Sequence, residues 1–192
     1  MKKFLFLSLL FTLVLTSCSD DDNKTQGTAN KGTLTVNGVD YDVNRAYLIP
    51  NYTGQNPEYD KRRFYIVLAN GGLSLNNNEF VYSGGITQLI DFNLYTSDGN
   101  PGSIEETTYG LWSNTPNTEA YIAHAGINTD VEVQNGEFIS ANSLSSDDMD
   151  SRQVTISKNN GVYTITFSFS NETNTVTGSY KGTLQSLNYN YE

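Results

Sequence analysis

Alternating apolar and polar side chains dominate the carboxy-terminal part of the chain. Residues 163–169 place Tyr, Ile or Phe at every second position, with Thr or Ser between them. A period of two puts the apolar side chains on one face of a β-strand. Residues 154–156 and 176–184 alternate in the same way, and Asn160-Gly161 is a typical hairpin turn because both residues tolerate positive φ. Residues 152–185 therefore predict a three-stranded antiparallel meander.

The same reasoning predicts strands through the rest of the body. Residues 34–43 read as an opening hairpin around Asn37-Gly38. Residues 64–69 are apolar on both faces, as in a central strand. Further turn signals are Asn70-Gly71, Asp98-Gly99 and Asn135-Gly136, and further strand-like runs are 86–94, 109–112, 120–125 and 131–133. At most one short helical turn fits in residues 144–150.

Short strands joined by glycine-containing turns predict an all-β domain. An antiparallel β-sandwich is the favoured architecture, and a small, lipocalin-like β-barrel is the alternative. Gly178 and Gly182 flank Tyr180 on one face, which is typical of a strongly bent strand and also suits a barrel.

The amino terminus has the pattern of a secretory signal. Lys2 and Lys3 precede the apolar stretch 4–14, which is too short to cross a bilayer core of about twenty residues. Residues 1–17 are therefore predicted to be a signal peptide. Residues 19–32 contain no large apolar side chain, so 18–32 is predicted to be a flexible tether and 33–192 a single β-domain.

Leu15-Thr16-Ser17-Cys18 resembles a bacterial lipobox, and Cys18 is the only cysteine. The resemblance implies diacylglyceryl transfer to Cys18, cleavage before it, and acylation of the new amino terminus by a fatty acid such as palmitate. Three acyl chains exceed the two signals that stable anchoring requires.

The following Ser19-Asp20-Asp21-Asp22 resembles the surface-export signal of Bacteroidetes lipoproteins, which implies the outer face of the outer membrane. A solvated acidic linker, with the domain on the periplasmic face, is the alternative.

The two ends of the β-domain extend this resemblance. Residues 34–41 and 176–184, together with the lipobox and the acidic tether, look like the small β-rich surface lipoproteins of Bacteroidetes. The resemblance implies a fold and a location, and it implies no activity.

Composition excludes several partners. The formal net charge is −10, and such a surface repels phosphate backbones, so nucleic acid is not an expected partner. With no cysteine beyond Cys18, neither disulfides nor thiolate metal sites are expected, and no cofactor is predicted.

Aromatic residues supply the best candidate binding site. The chain contains 13 Tyr and one Trp, and an aromatic ring combines a broad apolar face with a polar edge, which suits stacking on sugars. Tyr109, Trp112 and Tyr121 form the predicted platform, and Tyr52 and Tyr59 are further contact candidates. The alternative is that these are half-buried sheet residues.

Acidic residues and the single histidine are weaker candidates. Asp147, Asp148 and Asp150 have the oxygen ligands that Ca²⁺ prefers, but their spacing does not match an EF-hand, and a solvated loop is the alternative. His124 has no accompanying catalytic motif, and the adjacent Glu105 and Glu106 would point to opposite faces of a strand. No enzymatic activity is therefore predicted.

These observations favour a membrane-anchored, non-enzymatic surface lipoprotein that binds an extracellular glycan or protein. A structural or accessory subunit of an envelope assembly, docking by a sheet edge, is the alternative. A hydrolase that uses His124 is the third hypothesis.

Overall fold

The computed structural model describes residues 30–50, 63–97, 104–112 and 119–188. The predicted signal peptide, Cys18, the acidic run 19–22, and Tyr52 and Tyr59 lie outside the described residues. The described residues form strands and one 3-10 helix, Ser146–Asp148. The strands are β1 Lys31–Val36, β2 Val39–Asp42, β3 Arg45–Pro50, β4 Arg63–Ala69, β5 Leu73–Asn76, β6 Glu79–Tyr82, β7 Gln88–Tyr95, β8 Thr108–Tyr109, β9 Tyr121–Gln134, β10 Glu137–Ser145, β11 Ser151–Asn159, β12 Val162–Ser170, β13 Thr175–Gly182 and β14 Gln185–Ser186.

The strands form two six-stranded sheets and a small hairpin. The first sheet has the order β2-β1-β13-β12-β11-β8, and the second has the order β10-β9-β7-β4-β3-β14. All neighbours are antiparallel except β14, which runs parallel to β3. The prediction of an all-β sandwich is confirmed, and within the described residues the sheets do not close into a barrel. No described helix is long and apolar enough to span a bilayer.

The core lies between the two sheets and is built from the predicted alternation. Ile165, Phe167 and Phe169 of β12 are buried, as are Ile90, Phe92 and Leu94 of β7, which lies in the opposite sheet. The Phe92 ring centroid is 5.3 Å from that of Phe167 and 6.3 Å from that of Phe169. A Cβ atom at Gly178 would collide with the Phe167 ring, so this glycine allows the ring to lie directly against β13.

The hairpin turns follow from asparagine and glycine. Asn37-Gly38, Asn135-Gly136 and Asn160-Gly161 all have positive φ and join β1 to β2, β9 to β10, and β11 to β12, as predicted. Asn77-Asn78 makes the equivalent turn between β5 and β6, with φ of 50° and 65°. This hairpin was not predicted because its turn contains no glycine. Asp98-Gly99 lies outside the described residues.

Several boundaries differ from the prediction. The runs 120–125 and 131–133 belong to the single strand β9, because pairing with β7 and β10 continues through the polar residues between them. Residues 109–112 contribute only Tyr109 to a strand, and β13 ends at Gly182. The domain begins before residue 33: Lys31 and Gly32 belong to β1, where Gly32 O accepts a hydrogen bond from Val43 N. The short helical turn predicted within 144–150 is confirmed.

The inner face of the second sheet is covered, and its outer face is covered in part. Its inner face packs on the first sheet, and the β5–β6 hairpin covers part of its outer face. Tyr47, Val67 and Leu89 are buried on that outer face beneath Leu73 of the hairpin. The uncovered part of this face carries the candidate site.

Candidate functional site

Cross-strand pairing gives the outer face of the second sheet three rows of neighbours. Each row contains one residue from β4, one from β7 and one from β9, in that order. The first row is Arg63, Tyr95 and Tyr121. The second row is Tyr65, Asn93 and His124, and the third row is Val67, Asp91 and Gly126. A register shift in the β7–β9 pairing after Asn93 keeps these side chains on one face. The rows bring together an aromatic end, a polar centre and a buried carboxylate.

The aromatic end of this face contains Tyr95, Trp112 and Tyr121, which we call the aromatic patch. The rings of Tyr95 and Tyr121 are parallel to within 2° and their centroids are 4.9 Å apart. The Trp112 centroid is 6.5 Å from that of Tyr121, at an angle of 46°. Trp112 is 58% exposed and the preceding Leu111 is 50% exposed. The arrangement offers an apolar surface to solvent beside stacked tyrosines.

A single bridge between the sheets positions Trp112. Ile122 N donates a hydrogen bond of 2.9 Å to Gly110 O, and Gly110 forms a parallel bridge with Tyr121. Because Gly110 is held against the beginning of β9, Trp112, two residues further on, lies beside Tyr121. The structure therefore brings Trp112 and Tyr121 together, as predicted.

Tyr109 does not belong to the patch, and its predicted role as a platform residue is wrong. Its side chain is 1% exposed and belongs to the core between the sheets. Its hydroxyl donates to Glu105 O and accepts from Glu105 N, and burial raises the pKa of the Tyr109 hydroxyl. Tyr109 was chosen as an aromatic residue without knowledge of the strand order, and where β8 pairs with β11, at Val154, its side chain lies in the core.

Polar side chains line an open groove next to the patch. Arg63 connects the two, because its guanidinium carbon lies 6.0 Å from the Tyr95 ring centroid and its Nε donates a 2.7 Å hydrogen bond to Asn93 Oδ1. The groove has a volume of about 560 Å³. Its wall also includes Tyr65, Asp91, His124 and Asn128. These groups can donate and accept hydrogen bonds along the floor of the groove.

The acidic cluster at 147–150 is organised by an ion pair. Asp147 Oδ1 lies 3.2 Å from Arg152 Nη1, and Asp147 Oδ2 lies 3.1 Å from His124 Nδ1. Within the described ranges, no three side chains of His, Cys, Asp or Glu are grouped as a metal ion requires. The arrangement therefore gives no support to a calcium site at Asp147, Asp148 and Asp150.

The His124 side chain contacts the carboxylate of Asp147, which the sequence analysis did not predict. Its contact with Asp147 resembles the orientation of a general base, but both side chains are well exposed, at 43% and 60%. The nearby hydroxyls have other partners: Ser143 Oγ donates to Asn128, Ser145 Oγ accepts from Asp147 N, and Ser146 Oγ accepts from Ala125 N. Among the described residues, no nucleophile is hydrogen-bonded to this histidine. We interpret the pair as a surface ion pair that borders the groove.

A second cavity, the hairpin pocket, lies beneath the β5–β6 hairpin and is partly open to solvent. Its volume is about 270 Å³. Its lining is Tyr65, Val67, Leu73, Phe80, Tyr82, Leu89, Asp91, Asn128 and Phe138. The rings follow one another along the wall, with centroid distances of 5.8 Å from Tyr65 to Phe80, 6.3 Å from Phe80 to Tyr82 and 5.9 Å from Tyr82 to Phe138.

Asp91 borders both cavities and is 9% exposed. Burial raises the pKa of its carboxyl to about 6, while a hydrogen bond from Tyr65, the charge of His124 and a hydrogen bond from the Gly126 backbone lower it in part. A Cβ atom at residue 126 would stand 2.6 Å from Asp91 Oδ2, so the carboxyl would have to move if residue 126 were not glycine. A buried carboxyl with a strongly shifted pKa in a cleft is typical of a functional site.

Sequence reasoning missed Tyr95, Arg63 and Asp91 as site residues. Asp91 had a visible signal, since it is the one charged residue in the apolar strand β7. Tyr95 and Arg63 had none, because their neighbours on β9 and β7 are far away in sequence. Comparison of the chain with protein-family models, curated proteins and solved structures found no match in any of the three.

Proposed function

We propose that the protein is a lipid-anchored surface lipoprotein whose β-domain binds a carbohydrate without catalysing a reaction. The aromatic patch carries this proposal, because an exposed tryptophan beside stacked tyrosines is the surface on which the apolar face of a sugar ring stacks. The adjoining open groove supplies amide, guanidinium, imidazole and carboxyl groups for the sugar hydroxyls. The lipobox at Leu15–Cys18 supports the lipid anchor.

The aromatic patch and the open groove contribute different kinds of contact to the bound carbohydrate. Trp112 and Tyr121 contribute apolar contact that depends little on the identity of the sugar. Asn93 and Arg63, whose side chains are already hydrogen-bonded to each other, present fixed polar groups that select among hydroxyl arrangements. A glycan chain lying along the face would place one ring on the patch and the next in the groove.

We expect Trp112→Ala to weaken glycan binding by about tenfold or more, because an exposed aromatic anchor commonly dominates the energy of a binding surface. The purified full-length protein, in a detergent without a sugar headgroup, is first applied to an array of bacterial, plant and animal polysaccharides. The affinity of the variant for each bound glycan is then measured by calorimetry.

Tyr163→Ala is the matched control for this experiment. Tyr163 is a half-buried tyrosine of β12 in the other sheet, with the Lys158 ammonium 4.8 Å from its ring centroid. This variant should bind as the unmodified protein does. Absence of binding to every glycan on the array, or equal loss in both variants, would contradict the proposal.

Surface location has a separate test. In intact Bacteroidetes cells, an added protease should rapidly remove the signal of an antibody against residues 31–192. Replacement of Asp20, Asp21 and Asp22 by Ala should protect the domain, because the acidic run is proposed to be the export signal. A periplasmic marker protein verifies that the cells remain closed. Protection of the unmodified protein would place the domain in the periplasm and refute surface exposure.

A further inference from the structure

The hairpin pocket shares Tyr65, Asp91 and Asn128 with the open groove but is otherwise lined mainly by apolar side chains. Apolar side chains and aromatic rings make up most of its wall, and the Asp91 carboxyl is the one ionisable acid among its lining residues. Its volume of about 270 Å³ accommodates a group of a few carbon atoms around a central nitrogen or carbon. The pocket is therefore small, largely apolar and negatively charged at one point.

The charge of Asp91 is only partly compensated by the protein. Tyr65 and the Gly126 backbone donate hydrogen bonds to it, and the positive charge that acts on it is that of His124, which is 43% exposed. A buried carboxylate of this kind costs free energy unless a cation approaches it.

The walls supply the other half of a cation site. The rings of Tyr65, Phe80 and Tyr82 follow one another along the wall, and Asp91 lines the same cavity. Burial, and to a smaller extent the Asp91 charge, raise the pKa of the Tyr82 hydroxyl. Aromatic rings attract organic cations through their quadrupoles, most strongly when water is excluded. The net charge of −10 would also draw cations towards the domain.

We propose that the hairpin pocket binds the ammonium group of an organic cation, with the Asp91 carboxylate as its counter-ion and the rings of Tyr65, Phe80 and Tyr82 as its walls. Tyr65 and the Gly126 backbone donate hydrogen bonds to the carboxylate, and the β5–β6 hairpin covers part of the pocket. The aromatic patch contributes none of its walls, whereas Tyr65 and Asp91 also border the open groove, so the two proposed sites adjoin at Asp91.

Choline and its uncharged isostere 3,3-dimethylbutan-1-ol provide the direct test. The two have the same shape and differ in the charged nitrogen, so the ratio of their affinities isolates the charge. Each is titrated into the full-length protein at constant ionic strength, with sodium chloride balancing the choline chloride, and amide shifts of Gly126 and Tyr82 are followed by NMR. We expect choline to bind at least about tenfold more tightly. Equal affinities would show a merely apolar cavity, and no binding of either would also overturn the proposal.

Two variants separate the carboxylate from the rings. Asp91→Asn keeps the size and the hydrogen-bond acceptor but removes the charge, and it should reduce choline affinity about tenfold or more while leaving the isostere unaffected. Phe80→Leu keeps the apolar contact but removes one ring, and it should weaken choline binding severalfold. Glu172→Gln removes one negative charge from the β12–β13 turn in the first sheet and should change neither affinity.

Failure of this proposal is distinguishable from failure of the carbohydrate proposal. Trp112→Ala should leave choline binding intact, because Trp112 does not line the hairpin pocket. An equal loss of choline affinity in Glu172→Gln and Asp91→Asn would show attraction by net charge alone and would overturn a specific site.

Discussion

Replacing Phe92 by Ala should lower the free energy of unfolding by about 3–5 kcal/mol, the usual cost of deleting a fully buried phenylalanine side chain. Phe92 has no exposed surface, and its ring contacts Phe167 and Phe169 of the opposite sheet. The cavity left behind would lie at the contact between the two sheets, where neither backbone can collapse without breaking its own ladder. Urea denaturation followed by tyrosine fluorescence measures the loss.

Two further variants keep this prediction testable if Phe92→Ala does not fold, since small domains have only about 5–15 kcal/mol of stability in total. Phe92→Leu retains most of the volume and should cost about 1–1.5 kcal/mol. Phe138→Ala deletes the same atoms from a side chain that is 39% exposed, and it should cost clearly less than Phe92→Ala. Similar losses for Phe92→Ala and Phe138→Ala would mean that the sheets do not pack through Phe92.

The sequence predicts the parts of the fold in which the polarity of each side chain matches its own burial. In β12, alternation alone separates the buried Phe167 from the exposed Thr166, and Asn160-Gly161 defines the turn before it. In β10, by contrast, the side chains are mostly exposed on both faces because it is an edge strand, so no alternation marks it. The 14 residues of β9 looked like two shorter strands because Asn128 and Asp130 interrupt its apolar positions.

The candidate site could be predicted only in part, because it depends on strand order. Trp112 and Tyr121 were identified as aromatic residues near each other in sequence, and the bridge at Gly110 brings them together. Tyr95 reaches Tyr121 only because β7 and β9 are neighbours, and no local pattern specifies that pairing. Tyr109 was chosen on the same ground as Tyr121, as an aromatic residue, but where its strand pairs with β11 its side chain is buried.

Asp91→Asn should make the protein more stable above neutral pH, by about 3 kcal/mol at pH 8. The reason is the direction of the pKa shift. Burial raises the pKa of the Asp91 carboxyl from 3.8 to about 6, so the folded protein holds a proton that the unfolded chain has already released between these pH values. The unmodified protein therefore loses stability as pH rises through this window, and the full penalty is present above it. Asparagine has no such penalty because it carries no charge.

Urea denaturation of both proteins at pH 4, 6 and 8 measures this effect. The stability difference between the variant and the unmodified protein should grow by about 2.5 kcal/mol from pH 4 to pH 8. Glu172→Gln, which removes an exposed carboxylate of the first sheet, should show no comparable growth. A difference that does not change with pH would show that the folded protein does not penalise the Asp91 charge.

A gain in stability from this substitution would connect the fold to the proposed cation site. A protein that keeps a destabilising buried carboxylate, and a glycine opposite it to make room, is giving up stability at a position where function requires the charge. Choline at one hundred times its dissociation constant should return about 2.7 kcal/mol to the unmodified protein at pH 8 and at most about 1.4 kcal/mol to Asp91→Asn at the same concentration, because the variant is expected to bind at least about tenfold more weakly. Denaturation with and without choline therefore tests whether the free energy lost by burying Asp91 is recovered when a cation binds.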